Sequence, residues 1–151
     1  MHYITRELER KFMSMNSVFK AIMLTGARQV GKSTMLRKLA ENEQRTYVTL
    51  DNSRDRELAQ RDPKLFFQTY RPPVLIDEVQ KAPSLFETIK VMCDETDEKG
   101  LFWLTGSESR KLLREAGESL AGRICILKMY GLSQREKLGL CGMGNICFDL
   151  S

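Results

Sequence analysis

The stretch GARQVGKST, residues 26–34, follows an apolar run, AIMLT, and leads into KSTMLRKLAE, where Met35, Leu36, Leu39 and Ala40 share one helical face. Glycines at this seam need a reason, because glycine weakens both strands and helices. A turn that aims several backbone N–H groups at one point supplies it. Glycine allows the positive φ angles of such a turn, and its missing Cβ lets an anion approach. A helix starting near Gly31 adds its unpaired first amides and the positive end of its dipole. Lys32 and Ser33 follow at once, an ammonium and a hydroxyl. The pattern G-x-x-x-x-G-K-[ST] between a strand and a helix is therefore expected to cradle a polyphosphate. The cradle comprises Gly26, Ala27, Arg28, Gln29, Val30, Gly31, Lys32, Ser33 and Thr34. Lys32 is assigned to the β- and γ-phosphates, Ser33 to Mg2+, and Thr34 to the α-phosphate.

The remaining chain alternates between strand-like and helix-like runs. A short amphipathic helix is read over 5–15, a strand over 18–25 and the helix over 32–41. TYVTL (46–50) is β-branched and aromatic, a second strand. Asp51 and Asn52 follow as cap-type residues before a polar helical stretch, and Asp62 takes an N-cap position with Pro63 at the first helical position. Val74–Asp77, 101–107 and 124–130 read as three further strands, with helices over 82–98 and 109–115 between them. GESLAGR (117–123) reads as a broken turn, and SQRE (133–136) fits a capping box. Near-continuous apolar strands alternating with helices predict an α/β fold with a parallel sheet covered on both faces. The final segment, 139–151, is glycine-rich and without periodicity, and reads as a short irregular tail.

Two acids make a second, independent signal. VLIDE places Asp77 and Glu78 at the carboxyl end of a buried strand. Ligands of open parallel sheets bind outside that end, so the acids and the glycine loop should share one edge. Asp77 is assigned to the metal shell, and Glu78 to a water attacking the γ-phosphorus. A carboxylate beside the metal aspartate, with no N-K-x-D or T-K-x-D stretch for guanine, favours ATP hydrolysis. LTGS (104–107) ends another strand, where Thr105 or Ser107 can reach the γ-phosphate or the water. Arg123, in SLAGRI, is a candidate for charge stabilisation in its own site or in a neighbour's. Taken singly, the hydroxyls of LTGS fit a turn about equally well, and Arg123 reads more readily as an ordinary surface residue.

Composition narrows the classes further. The 151 residues carry 42% hydrophobic and 29% charged side chains, as a folded domain does. The only histidine is His2, so chemistry falls to carboxylates, hydroxyls, lysine, arginine and amides. Four cysteines, Cys93, Cys125, Cys141 and Cys147, form no C-x-x-C pair, which argues against zinc; Cys93 and Cys125 read as small apolar core residues. No run approaches the ~20 apolar residues of a membrane span, and charges occupy the N-terminus where a signal peptide needs its apolar core. The expected compartment is the cytoplasm. The net charge of +4 is spread among acids rather than clustered, giving nucleic acid little support as a partner.

Together GARQVGKST, YVTLDN, VLIDEVQKAPSLF, LTGSES and ESLAGRI resemble the AAA-type domain of a large group of prokaryotic P-loop ATPases. The resemblance covers about residues 5–138 and implies a domain spanning 1–138. It implies a three-layer fold with strand order 5-1-4-3-2 and ATP with Mg2+ as ligands. It also implies Asp77 and Glu78 as Walker B residues, Ser107 in a sensor region and Arg123 as a trigger arginine. Members commonly continue into a nuclease-like C-terminal domain of uncharacterised role, so 139–151 reads as a truncation. Three functions follow as expectations: an Mg2+-dependent ATPase, a nucleotide-dependent binding module with negligible turnover, or a nucleic-acid-associated ATPase. An arginine supplied in trans would require a homo-oligomer.

Overall fold

The computed structural model describes residues 8–27 and 30–131. The start of the first helix, Arg28, Gln29, the capping box at Ser133 to Glu136, Cys141, Cys147 and the tail at 139–151 lie outside the described residues.

Five strands form one sheet: β1 (Ala21–Gly26), β2 (Thr46–Thr49), β3 (Val74–Asp77), β4 (Phe102–Ser107) and β5 (Ile124–Met129). Every pairing is parallel, and the order is β2-β3-β4-β1-β5, the expected 5-1-4-3-2 read from the other side. The helices are α1 (Leu8–Asn16), α2 (Lys32–Ala40), α3 (Ser53–Arg61), α4 (Pro63–Thr69), α5 (Leu85–Asp94) and α6 (Arg110–Ser119). A 3-10 turn, Val79–Lys81, follows β3.

Strand side chains alternate between two cores. Ala21, Met23, Ile76, Phe102 and Leu104 pack with Ala59, Phe66, Phe86, Ile89 and Ala116 from α3 to α6. Ile22, Leu24, Leu75, Trp103 and Leu127 pack with Leu8, Phe12, Met35 and Leu36 from α1 and α2. Helices on both faces leave β1, β3 and β4 no polar face, and each is apolar almost throughout. Asn52 accepts from the amides of Arg54 and Asp55, so of the two cap-type residues Asp51 and Asn52 it is Asn52 that caps α3, and Asp62 accepts from Leu65 N as expected.

Several boundaries differ from the sequence reading, among them the end of the helix read over 82–98, which closes at Asp94, and three have a cause in the packing. The first strand begins at Ala21 rather than 18, because Val18 N and Phe19 N donate back to Met15 O and close α1. The helix expected from 82 begins at Leu85, since Val79 and Ala82 are first buried by the 3-10 turn. The broken turn expected at 117–123 is helical as far as Ser119. Leu112 and Ala116, four apart, bury one face of α6, while Gly117 faces open space and is merely tolerated. Cys93 is buried as expected, and Cys125 is only partly so.

Candidate nucleotide site at the carboxyl edge of the sheet

Parallel register brings the strand ends to one rim. Gly26 pairs with Ser107 and with Met129, and Thr49 pairs with Asp77. Here β1 passes into the glycine loop. Gly26 has φ 153, and a Cβ on it would lie 2.4 Å from Met129 O, a backbone atom that cannot swing away. Gly31, at φ 96, stands at the N-cap of α2 and offers no side chain to the helix's first amides.

Lys32 is 8% exposed, and its ammonium donates to Gly26 O at 2.8 Å and Ala27 O at 2.9 Å. Its position therefore follows the loop's own backbone. Burial pushes its pKa below the ordinary value, while Glu78, Asp77 and Glu108 pull the other way.

Asp77 is 7% exposed and receives three hydroxyls from three elements. Ser33 Oγ donates to its Oδ1 at 2.5 Å, Thr105 Oγ1 to the same oxygen at 2.6 Å, and Thr49 Oγ1 to Oδ2 at 3.3 Å. Charge-assisted bonds of this kind let a carboxylate stay buried. Glu78 follows in a left-handed conformation, φ 63 and ψ 49, its amide donating to Thr105 Oγ1 at 2.9 Å. Gln80 Nε2 donates to Glu78 Oε2 at 2.6 Å, and Gln80 Oε1 accepts from Ser107 N at 3.2 Å.

These residues border a cleft of about 460 Å3 lined by Gly31, Lys32, Ser33, Thr34, Asp51, Glu78, Gln80, Lys81 and Ser107. That volume is in the range of small-molecule sites. An ion pair, Lys81 to Asp51, lies along the same lining. Among the described residues no three His, Cys, Asp or Glu cluster into an all-protein metal cage. A magnesium ion asks for less: one or two carboxylates and hard oxygens, completed by phosphate and water. Ser33 Oγ beside Asp77 Oδ1 is such a donor set.

The sequence-selected residues divide accordingly. Gly31, Lys32, Ser33, Thr34, Glu78 and Ser107 line the cleft, Asp77 is hydrogen-bonded to Ser33, and Gly26 and Ala27 hold the Lys32 ammonium. Val30 packs partly against the α1–α2 core. Arg28 and Gln29 are outside the described residues. Thr105 is fully buried, its hydroxyl committed to Asp77 and to the Glu78 amide, so of LTGS it is Ser107 that faces the ligand space.

Arg123 is not brought to this rim. It precedes β5, and a parallel strand starts at the opposite edge. Its guanidinium grips Asp94 there, Nε to Oδ1 at 2.7 Å and Nη2 to Oδ2 at 3.0 Å. The length of β5, about 20 Å at ~3.3 Å per residue, separates it from its own glycine loop, so action within its own site is corrected. Gln80, Thr49 and the Lys81–Asp51 pair were not anticipated. A polar residue two positions beyond the acidic pair is the signal that Gln80 offered.

Comparison with known proteins bears on the family and the fold. Residues 18–138 match a family described as an AAA domain. An uncharacterized protein of Mycobacterium bovis and one of Mycobacterium tuberculosis are each 34% identical over 116 residues, 76% of this chain and 26% of theirs. The chain thus spans about a quarter of the length of these relatives. The RuvB Holliday junction branch migration motor of Thermotoga maritima superposes with a TM-score of 0.54 at 18% identity, covering 88% of this chain and 48% of that one. The DnaC helicase loader gives 0.51 at 13% identity, covering 86% and 94%. These two likenesses show the fold alone. With the loop, the acidic strand end and the strand order in place, the family match closes the assignment: this chain belongs to the AAA domain family and is a nucleotide-binding P-loop domain of the ATPase type.

Proposed function

We propose that the chain is an Mg2+-dependent ATPase domain whose chemistry runs in the cleft between the glycine loop and the end of β3. The observation that carries this reading is the contact of Ser33 Oγ with Asp77 Oδ1 at 2.5 Å, with Glu78 lining the same cleft as Gly31 to Thr34. The loop amides and the start of α2 receive the phosphates, and Lys32 supplies positive charge. Ser33 and Asp77 would hold Mg2+, which when bound supplies Lewis-acid neutralisation of phosphate charge. Glu78 orients a water and takes its proton. The water oxygen bonds to the γ-phosphorus, the bond to the β–γ bridging oxygen breaks, and that electron pair leaves on ADP. Ser107 contacts the γ-phosphate or the water.

A second reading has its own support. Arg123 lies on the far edge, so an arginine from a neighbouring copy would be needed to complete the charge stabilisation. Alone, the chain would then bind ATP and turn it over negligibly. On either reading the domain covers residues 1–138 and works in the cytoplasm. Its effector is a further domain or partner; nucleic acid is the reading with the thinnest support.

Phosphate release by the chain against a Glu78→Gln variant tests the assignment. Removing a positioned general base should lower turnover about 100-fold or more, while ATP affinity stays within twofold. Equal, negligible release from both, with both binding ATP, selects the binding module. Lys32→Ala should weaken ATP binding about 10- to 100-fold, as expected for a lost charge-assisted contact, without unfolding the domain. Unchanged affinity would remove the loop assignment.

A further inference from the structure

We propose that Gln80 is a positioning residue that holds the Glu78 carboxylate to the end of β4 and so keeps the base aimed into the cleft. The inference rests on the hydrolytic reading above. Residues two apart on a helical turn do not face each other, yet Gln80 and Glu78 meet at 2.6 Å. The left-handed Glu78 backbone, φ 63 and ψ 49, makes the meeting possible by turning the chain just before Val79–Lys81. Val79, fully buried, anchors that turn, and Lys81 N donates back to Glu78 O. A non-glycine residue rarely adopts this conformation. Here it brings a carboxylate and a carboxamide together.

The residue type at 80 follows from what it bridges. Glu78 Oε2 only accepts, and Ser107 N only donates. A side chain joining them must donate at one head atom and accept at the other, as a carboxamide does. Glutamate would lose the donor and set a like charge against Glu78; lysine could not accept from Ser107 N. The two partners also fix which way round the amide sits.

The bridge links two parts of the cleft lining that no backbone ladder joins. Ser107 ends β4 beside Gly26, whereas Glu78 lies past the end of β3. Contact of a ligand with Ser107 is thereby felt at the base through one side chain.

The test is single-turnover hydrolysis and fluorescent-ATP titration on the full chain and on Glu78→Gln, Gln80→Ala, Gln80→Glu and the double variant Glu78→Gln/Gln80→Ala. Gln80→Ala should lower the rate 10- to 100-fold with ATP affinity within twofold. Gln80→Glu should fall at least as far, although it keeps an acceptor for Ser107 N. On the Glu78→Gln background the alanine change should cost less than twofold more, because residues acting as a unit are non-additive. A merely structural Gln80 would show the same loss on both backgrounds, and that outcome overturns the proposal. So does a Gln80→Ala rate within twofold of the parent. A parent no faster than Glu78→Gln defeats the hydrolytic reading itself, and this inference with it. That failure appears before any change at Gln80, so the two are distinguishable.

Discussion

The two edges of the sheet bury polar groups in different ways. At the amino edge Trp103 Nε1 donates to Asn16 Oδ1 at 2.7 Å, and the Arg45 guanidinium lies 3.8 Å above the Trp103 ring. Arg45 donates to Gly100 O at 2.8 Å, and Lys20 Nζ to Cys93 O at 2.7 Å. The Arg45 side chain is 3% exposed, and burial lowers its pKa against the hydrogen bond and charge of Glu43. Most of these partners are backbone carbonyls or a stacked ring, fixed by the fold. At the carboxyl edge the partners are side chains on separate elements: Ser33, Thr49 and Thr105 around Asp77, and Gln80 between Glu78 and Ser107. The Ser33 hydroxyl can exchange Asp77 for a ligand's oxygen without stripping a backbone group. One edge is closed for stability, and the other is assembled for exchange.

Trp103→Ala should give the largest effect on stability. It removes a fully buried ring, its edge-on contact with Phe12 at 4.9 Å and the face beneath Arg45. Truncations of this size cost about 3–5 kcal/mol, readable in urea unfolding. ATP affinity, measured where the variant is still folded, should stay within twofold. A tenfold loss of affinity would break the comparison, because the amino edge would then share in binding.

Thr105→Val comes next. It keeps the shape but removes the donor to Asp77 Oδ1 at 2.6 Å and the acceptor for Glu78 N at 2.9 Å. Buried groups left unpaired cost about 1–3 kcal/mol, less than the tryptophan truncation. Yet ATP affinity in Mg2+ should fall here, where the larger loss of stability leaves it intact. A calorimetric titration of both variants side by side sharpens the contrast. Equal affinities would mean that Asp77 needs no buttress.

How much of this was legible in the sequence depends on whether the cause is local. The glycine loop, the caps at Asn52 and Asp62 and the apolar strands are set by neighbours along the chain, and they stand where the residues place them. Thr105 is different. Its hydroxyl meets Asp77 across 28 positions of sequence, through a β3–β4 register that no local pattern states. Gln80 was hidden by the left-handed turn at Glu78, which folds a near neighbour onto its own predecessor. Gly117 reads as a helix breaker, but one glycine costs only about 1 kcal/mol, and the buried stripe of Leu112 and Ala116 outweighs it. Arg123 was within reach of sequence reasoning: a residue just ahead of a parallel strand belongs on the amino edge, away from its own loop.

The Arg123–Asp94 pair supplies the smallest effect and the finest test of the contrast between edges. Asp94 is half exposed, and the hydrogen bond from Arg123 is the main cause that holds its carboxyl below the ordinary aspartate value. A depressed carboxyl contributes stability above its unfolded value and loses that contribution as pH falls through the folded one. Asp94→Asn should therefore lower Tm at neutral pH by less than Thr105→Val does. The gap to the parent should close as the solution is taken below the ordinary aspartate range, where the parent's own carboxyl takes up its proton. Water and salt screen such a pair, so raising the ionic strength at neutral pH should narrow the gap too. ATP affinity should not move under any of these conditions. A gap that persisted in acid would mean that Asp94 acts through packing rather than charge, and a loss of affinity would carry the influence of the amino edge across the whole length of β5.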